Sequence, residues 1–299
     1  MHTPIYTLPE YGKLLQISSL IARVTANNAG PYTFTGTGTY IVGTSDLAVI
    51  DPGPADEAHK QALIAAIAGR PVLGVLVTHT HADHSTLAPW LAAQCATKTY
   101  GYGPHGGGKK AGLEDEKVEA GADMDFSPDI FLKDGDVISG SGWTIRSVFT
   151  PGHTSNHMCF ELAEENALFT GDHVMRWATT VISPPDGDMR DYMDSLKKVR
   201  DKNYDIMYPT HDKPVTKPTR FTSALIGHRR QREQQIFDAL SAGHITISAI
   251  TERLYKDVDP RLHLAASRSV FSHLIMMVED GRVTCNQPIR LDSKFMPLK

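Results

Sequence analysis

The chain has 299 residues, of which 41% are hydrophobic and 21% are charged, and its formal net charge is −4. These values exclude a disordered, collagenous or coiled-coil chain, and the length predicts about two domains, or one large domain with an appendage. The three cysteines lack CxxC spacing and no apolar run approaches a membrane span, so we predict a cytoplasmic protein without disulfides, a thiolate zinc site or a membrane partner.

The first part of the chain alternates predicted strands with predicted helices. In order, these are a hairpin of strands 39–42 and 47–50, a helix over 55–68, strands over 72–78, 143–149, 158–162 and 167–170, a helix over 189–199, and a strand over 205–208. This interleaving predicts a layered α/β domain.

The net charge of the sequence changes sign near residue 213. Residues 1–212 carry a net charge of −10 and residues 213–299 carry +6. The segment 213–218 contains two prolines, which resist helix and favour a linker. We therefore predict a catalytic domain over 1–212, a linker over 213–218 and a second domain over 219–299. The second domain is predicted to hold helices over 222–241, 248–255 (capped by Ser248) and 263–278, then a turn and strand over 281–285, which favours a winged-helix-like module.

Four potential metal ligands follow the predicted strand over 72–78 in the pattern HxHxDH: His79, His81, Asp83 and His84. His79 and His81 are two positions apart in an extended segment, so their side chains project to the same side. Asp83 and His84 fall where the chain turns towards a helix, and their side chains diverge, which lets them serve a second ion. Histidine and carboxylate ligands without cysteine are typical of a catalytic zinc site.

Three more candidate ligands follow other predicted strands. His153, Asp172 and His211 each come shortly after a strand and beside a small or turn-forming residue. In α/β folds the functional groups lie in such loops at the ends of strands. These three residues are therefore candidates for completing the two metal sites.

The seven residues, in this order, resemble the metal-binding motifs of the metallo-β-lactamase superfamily, and Asp51 in the segment Ile50-Asp51-Pro52-Gly53 matches a further acidic position of that family. The resemblance implies an α/β fold, a four-layer αββα sandwich. It implies one metal ion on His79, His81 and His153, a second on Asp83, His84 and His211, and Asp172 as the bridge. Asp51 would support the ligand loops without binding metal.

Four further segments resemble the β-lactamase-like protein 2 group: residues 36–40, residues 152–158, residues 191–196 and residues 228–236. That resemblance implies the small, mainly helical winged-helix-like domain at the C-terminus, and it raises single-stranded RNA as a substrate, because the group includes an endoribonuclease. The segments 102–110 and 183–188 depart from the group by their length. Since such loops border the active site in this fold, they put the transfer of the substrate in doubt.

The predicted chemistry is hydrolysis at a dinuclear zinc centre, in which a hydroxide that bridges the two ions attacks the substrate. Mn²⁺ and Fe²⁺ accept the same ligands as Zn²⁺. We assign Asp83 and His81 as catalytic: Asp83 would orient the hydroxide as well as bind metal.

Charge decides between the predicted substrates. The first domain holds 16 basic and 26 acidic residues, and its loops offer Lys109, Lys110 and Arg176 against Glu114, Asp115, Glu116, Asp186 and Asp188. A polyanion would be repelled there, so we favour a small ester, thioester or lactone. A metal-dependent endoribonuclease acting on single-stranded RNA and a weak β-lactamase-type amide hydrolase are the alternatives. The oligomeric state is not predicted.

Some polar residues keep two interpretations. His157 and His173 are expected to support the site or to pack rather than to bind metal, whereas His105 is either a substrate contact or a solvated loop residue. The basic helix with Arg220, Arg229, Arg230 and Arg232 either binds nucleic acid or docks on the acidic first domain. We favour docking, as a roof over the metal cleft.

Overall fold

Two β-sheets form the centre of the fold in the computed structural model, which describes residues 9–108 and 121–298. The first sheet contains, side by side in chain order, β1 (Leu14–Gln16), β2 (Ile21–Thr25), β3 (Gly38–Val42), β4 (Leu47–Ile50), β5 (Val72–Leu76), β6 (Thr99–Gly101) and β7 (Ile130–Phe131). The second contains β8 (Val137–Gly140), β9 (Trp143–Phe149), β10 (Met158–Leu162), β11 (Ala167–Gly171) and β12 (Ile206–Pro209). Strands β4 to β7 run parallel, as do β11 and β12.

Helices cover the sheets and form most of the C-terminal region. They are α1 (Glu57–Ile67), α2 (Ala82–Ser85), α3 (Ala88–Gln94), α4 (Met189–Asp201), α5 (Pro218–Ser241), α6 (Ile247–Leu254) and α7 (His263–Glu279), followed by a hairpin of β13 (Val283–Cys285) and β14 (Phe295–Pro297). Across the part of the chain described, no helix is both long and apolar enough to cross a membrane.

Three apolar layers separate the sheets and helices. Between the sheets, Tyr40 of β3 and Phe160 of β10 belong to one buried cluster. On the outer face of the first sheet, Leu63 of α1 and Leu91 of α3 pack in a second cluster, and α4 packs through Leu196 on the outer face of the second sheet. Strands covered on both faces are buried continuously, as β3 and β4 are. The predicted four-layer αββα sandwich is therefore confirmed.

Helix α5 belongs to two cores. Its first half contributes Ile226 to the cluster that contains α4, and its second half packs Ile236 and Leu240 against α6 and α7. Helix α7 also reaches the first of these clusters through Met276. The C-terminal helices thus pack on the catalytic layers, whereas the predicted boundaries at 212, 218 and 219 stay predictions.

Two predicted helix starts were wrong. Helix α5 begins at Pro218, four residues before the predicted start, because proline lacks only an N–H group that the first turn leaves unpaired in any case. Helix α6 is capped by Thr246, whose side chain accepts a hydrogen bond from the Ala249 N–H, while Ser248 contacts Glu252 instead.

Candidate metal centre

The loop after β5 carries four of the seven predicted ligands at the edge of the first sheet. His79 and His84 are buried, and Asp83 is the most accessible carboxylate of the site, with 25% of its side chain exposed. His81 immediately precedes the short helix α2, so the chain turns between the two histidines of the HxH pair and the Asp83-His84 pair. The turn separates these two pairs into different groups.

The first group consists of three imidazole nitrogens that converge. His81 Nδ1 lies 2.9 Å from His79 Nε2 and 3.1 Å from His153 Nε2. His153 reaches this point from the loop after β9, in the other sheet. Three nitrogen donors at such separations surround one point, and together with Asp172 they are compatible with a metal ion.

The second group joins Asp83 to His84 and His211. Asp83 Oδ2 lies 3.4 Å from His84 Nε2 and 3.2 Å from His211 Nε2. Asp172 faces both groups: its Oδ1 is 3.6 Å from His84 Nε2 and 3.4 Å from His211 Nε2, while its Oδ2 is 3.8 Å from His153 Nε2. The structure therefore brings together all seven predicted residues, with Asp172 between the two groups.

Three of the histidines form a hydrogen bond through Nδ1, on the side of the ring that faces away from the centre of the site. Their Nε2 atoms therefore remain available to bind a metal ion. The pairs are His84 Nδ1 with Asp51 Oδ2 at 2.8 Å, His153 Nδ1 with the Val181 carbonyl at 2.7 Å, and His211 Nδ1 with the Gly36 carbonyl at 3.2 Å. Each of these Nδ1 atoms must carry the proton, because its partner can only accept. The opposite Nε2 atom points to the centre of the site, where it can bind a metal ion that replaces any proton there.

Asp51 connects three ligand loops. Its Oδ1 accepts a hydrogen bond from the Thr78 N–H at 2.8 Å, and its Oδ2 accepts from the Thr78 and Thr210 hydroxyls at 2.8 and 2.9 Å as well as from His84. The residue is fully buried with φ of 50°, a left-handed conformation that aspartate tolerates better than most residues. The supporting role that the resemblance implies for Asp51 agrees with these contacts.

We expect Asp51→Asn to weaken metal binding by roughly 10 to 100-fold, as is usual for partners that orient a ligand. The amide would place a donor where the carboxylate accepts from His84 or Thr78, so the ligand loops would lose their alignment. A competitive zinc titration against a chromophoric chelator measures the change. Asp194→Asn, at a carboxylate on α4 whose ion pair is with the exposed Lys197, is the matched control and should leave the affinity unaltered. Equal affinities for the two variants would contradict the assignment.

Two carboxylate ligands are held by hydroxyl groups that the sequence analysis did not assign. Thr37 donates to Asp83 Oδ2 at 2.9 Å, and Thr180 donates to the Asp172 carbonyl at 2.6 Å. His157 accepts the Asp172 N–H through Nε2. The sequence did contain a signal for Thr78 and Thr210, because each of them directly precedes a histidine that is a predicted metal ligand. Thr37 and Thr180 have no such local signal, since only the fold brings them to their partners.

Two glycines permit the close packing around the site. A Cβ atom on Gly152, which has φ of 133°, would lie 2.3 Å from the backbone of Tyr192 in α4. A Cβ atom on Gly171, at the end of β11, would lie 2.7 Å from both His157 Nε2 and Thr78 Oγ1. Glycine is therefore required where the His153 and Asp172 loops begin.

The electrostatics of the two groups favour cations. Burial and the neighbouring histidines lower the pKa of His79 well below its usual value, which keeps this ligand neutral. Burial alone would also lower the pKa of His84, but the carboxylates of Asp83, Asp51 and Asp172 outweigh it and raise that pKa to about 10. The second group thus carries an excess of negative charge that positive charge would stabilise.

The loop residues are more structural than the sequence indicated. His105 is 8% exposed, with Nδ1 2.9 Å from Thr80 Oγ1 and Nε2 3.8 Å from Asp186, so the interpretation as a solvated histidine was wrong. Asp186 accepts hydrogen bonds from the N–H and hydroxyl of Ser155, and Asp188 caps α4. Their oxygens are therefore engaged within the protein. Lys109, Lys110, Glu114, Asp115 and Glu116 lie outside the described residues.

The basic helix α5 is partly engaged in packing. Arg229 is 3% exposed, donates to the Thr180 carbonyl and lies over the ring of Tyr192, with 5.2 Å between its guanidinium carbon and the ring centroid. Arg232 lies over the ring of Tyr255. Docking on the first domain, rather than nucleic-acid binding, therefore accounts for Arg229. His173 is buried against the ring of Tyr192. Among the residues described, its ring nitrogens form no hydrogen bond with any of the seven predicted metal ligands.

Comparison with known proteins agrees with this geometry. A family profile described as "Metallo-beta-lactamase superfamily" matches residues 32–211, and one described as "Beta-lactamase associated winged helix domain" matches residues 246–287. The chain is 29% identical over 273 residues to a beta-lactamase-like protein 2 homolog of Caenorhabditis elegans, covering 90% of this chain and 87% of that protein. It is 33% identical over 293 residues to an atrochrysone carboxyl ACP thioesterase of Paecilomyces divaricatus, covering 92% and 85%.

The same fold occurs in a solved structure. A beta-lactamase domain protein from Burkholderia ambifaria superposes with a TM-score of 0.77 over 98% of this chain and 96% of that one, at 20% identity. The likeness extends through the C-terminal helices and hairpin, since nearly the whole chain is covered.

Proposed function

Because the chain belongs to the metallo-β-lactamase superfamily and is a metal-dependent hydrolase, we propose that it holds two zinc ions and hydrolyses a small ester, thioester or lactone. Among these substrates we favour a thioester. The observation that carries the dinuclear centre is the position of Asp172, whose two oxygens face the two ligand groups. The preference for a thioester is supported by the similarity to a protein named as a thioesterase.

The donor set fits two zinc-class ions. It offers five imidazoles and two carboxylates and no thiolate, which is the composition of catalytic zinc sites. His84 Nε2 and Asp172 Oδ1 are buried and lack a hydrogen-bond partner among the described residues. A buried polar atom without a partner is costly, and a metal ion would satisfy both atoms.

The residues divide the work between the two ions. His79, His81 and His153 would hold the first, Asp83, His84 and His211 the second, and Asp172 would contact both. When bound, the two ions would supply Lewis acidity, which activates water and neutralises the negative charge that develops during acyl transfer.

Asp83 is the carboxylate we assign to orienting the attacking water. Its side chain is 25% exposed, against 10% for Asp172 and none for Asp51, so it is the most accessible of the three to water in the cleft. Thr37 fixes Asp83 Oδ2 by a hydrogen bond, which leaves Oδ1 to orient the attacking water. His81, which contacts both His79 and His153, positions the first group.

Metal removal tests the centre itself. Elemental analysis of the pure protein should give two zinc-class ions per chain. Dialysis against a chelator should abolish hydrolysis until Zn²⁺ is restored, because the side chains of the seven predicted ligands cannot activate water as strongly as the metal ions. A stoichiometry of one ion or none in a fully active protein would refute the dinuclear assignment.

The substrate class requires a parallel assay. Initial rates of the metal-loaded protein on acyl thioesters, lactones, β-lactams and single-stranded RNA, each at two salt concentrations, should be highest for a thioester and nearly independent of salt. A high rate on RNA that falls steeply with salt would favour the nuclease instead.

A further inference from the structure

A depression of about 270 Å³ with a cationic rim lies between the start of α5 and the segment after Asp172. Arg176, from the segment after Asp172, and Lys217 and Arg220, from the start of α5, line it. The wall that carries Arg176 is braced by Trp177, whose ring stacks on Phe34 with centroids 4.9 Å apart. Three positively charged residues, all exposed to solvent, therefore line one depression.

Within residues 9–108 and 121–298, no hydrogen bond or ion pair engages the side chain of Arg176, Lys217 or Arg220. Arg176 interacts electrostatically with Asp212, which is 5% exposed and whose pKa is raised by burial. Neighbouring cations repel one another, and a bound anion would relieve that repulsion.

The rest of the lining is apolar. Val215, Phe221 and Ala224 complete it, together with the hydroxyl-bearing Thr216. Such a lining suits a ligand that carries an alkyl group beside its negative charge. A bare polyanion such as RNA offers phosphates at many positions along a strand, whereas this cationic site is a single depression.

The depression is within reach of the metal ligands. Strands β11 and β12 are parallel neighbours, so Asp172 and His211 emerge side by side. Arg176 follows Asp172 by four residues and Val215 follows His211 by four, and four residues of chain span at most about 14 Å. An arm of about 14 Å between the anionic end of a substrate and its reacting group is therefore long enough to join the depression to the metal ligands.

We propose that the depression binds the phosphate of a 4′-phosphopantetheine thioester while the acyl thioester lies at the metal centre; this rests on the proposed function. In that molecule a gem-dimethyl carbon lies next to the phosphate-bearing carbon, which matches the apolar lining. The arm from phosphorus to sulfur has about as many bonds as four residues of backbone, or roughly 14 Å when extended. Coenzyme A and a carrier protein both present this group.

The test compares two substrates that differ only in the phosphate, acyl-4′-phosphopantetheine and acyl-pantetheine, on the full-length zinc-loaded protein. The wild type should show a lower KM for the phosphorylated substrate. The Arg176→Gln/Arg220→Gln double variant should lose that preference, with the ratio of the two KM values changing about tenfold. Arg230→Gln, at an exposed arginine of the same helix outside the depression, is the control and should keep the wild-type ratio.

Each other result is informative. Equal KM values for both substrates in the wild type, or an unchanged ratio in the double variant, would overturn the phosphate site while leaving the hydrolase intact. Hydrolysis of neither substrate would instead contradict the proposed thioesterase function. Calorimetric titration with 4′-phosphopantetheine then decides the site separately, since absence of binding, or equal binding by the double variant, overturns it.

Two further arms identify the source and the rival ligand. Acyl-coenzyme A and an acyl carrier protein with the same acyl chain, assayed on both proteins, show which carrier gains more from the two arginines. If the double variant loses RNA cleavage while its thioester KM ratio stays at the wild-type value, the cations serve RNA and the proposal is wrong.

Discussion

We expect His81→Ala to abolish hydrolysis, with a fall of at least about 10³-fold in kcat/KM, equivalent to roughly 4 kcal/mol of the activation barrier. His81 Nδ1 is the atom that lies close to both His79 Nε2 and His153 Nε2, so its removal leaves the first group without its central donor. Elemental analysis should show the loss of one ion, and initial rates on the best substrate measure the loss of activity.

The contrasting variant is Asp83→Asn. It should leave one ion largely bound, because His79, His81 and His153 are untouched, yet remove most turnover. His244→Ala, at a histidine that contacts Arg253 in the C-terminal region, is the control and should behave as wild type. Full activity of either site variant on a proven substrate would contradict the assigned roles.

The ligands were predictable because the motifs that carry them are local. Each ligand loop follows a strand, and a strand that ends at the same edge as its neighbours delivers its following residues to the same place. The seven predicted ligands therefore lie close together, in the loops after β5, β9, β11 and β12 of two different sheets. The supporting contacts were not predictable in the same way: Thr180 is eight residues from Asp172, and Thr37 is 46 residues from Asp83.

The sequence analysis missed the five-residue strand β2 and the helix α3, and it missed several shorter strands. Strands β6, β7 and β8 have two to four residues each, too few for a period-two pattern to emerge. They exist because a neighbouring strand supplies hydrogen bonds, as β5 does for β6. For Asp186 and Asp188, the sequence showed their charge but not their contacts: their oxygens accept hydrogen bonds from Ser155 and from the first turn of α4.

Two hydrogen bonds connect helix α5 to the loop that carries Asp172. Arg229 donates to the Thr180 carbonyl, and the Thr180 hydroxyl donates to the Asp172 carbonyl, so a residue of the C-terminal region is two hydrogen bonds from the loop of the central ligand. Arg229 is also buried over Tyr192. Through Arg229 the helix thus supports the Asp172 loop, in addition to the phosphate contacts proposed for residues at its start.

We expect Arg229→Met to lower the free energy of unfolding by about 2 kcal/mol, because a buried carbonyl loses a charged donor while the side-chain volume is kept. Turnover should fall about tenfold with metal content retained, since the Asp172 loop loses its support without losing a ligand. Urea denaturation, elemental analysis and steady-state kinetics separate these effects. Arg230→Met is the control, because Arg230 is exposed on the same helix. If Arg229→Met loses stability but keeps wild-type turnover, α5 stabilises the fold without positioning Asp172, and this contact of the helix does not affect the reaction.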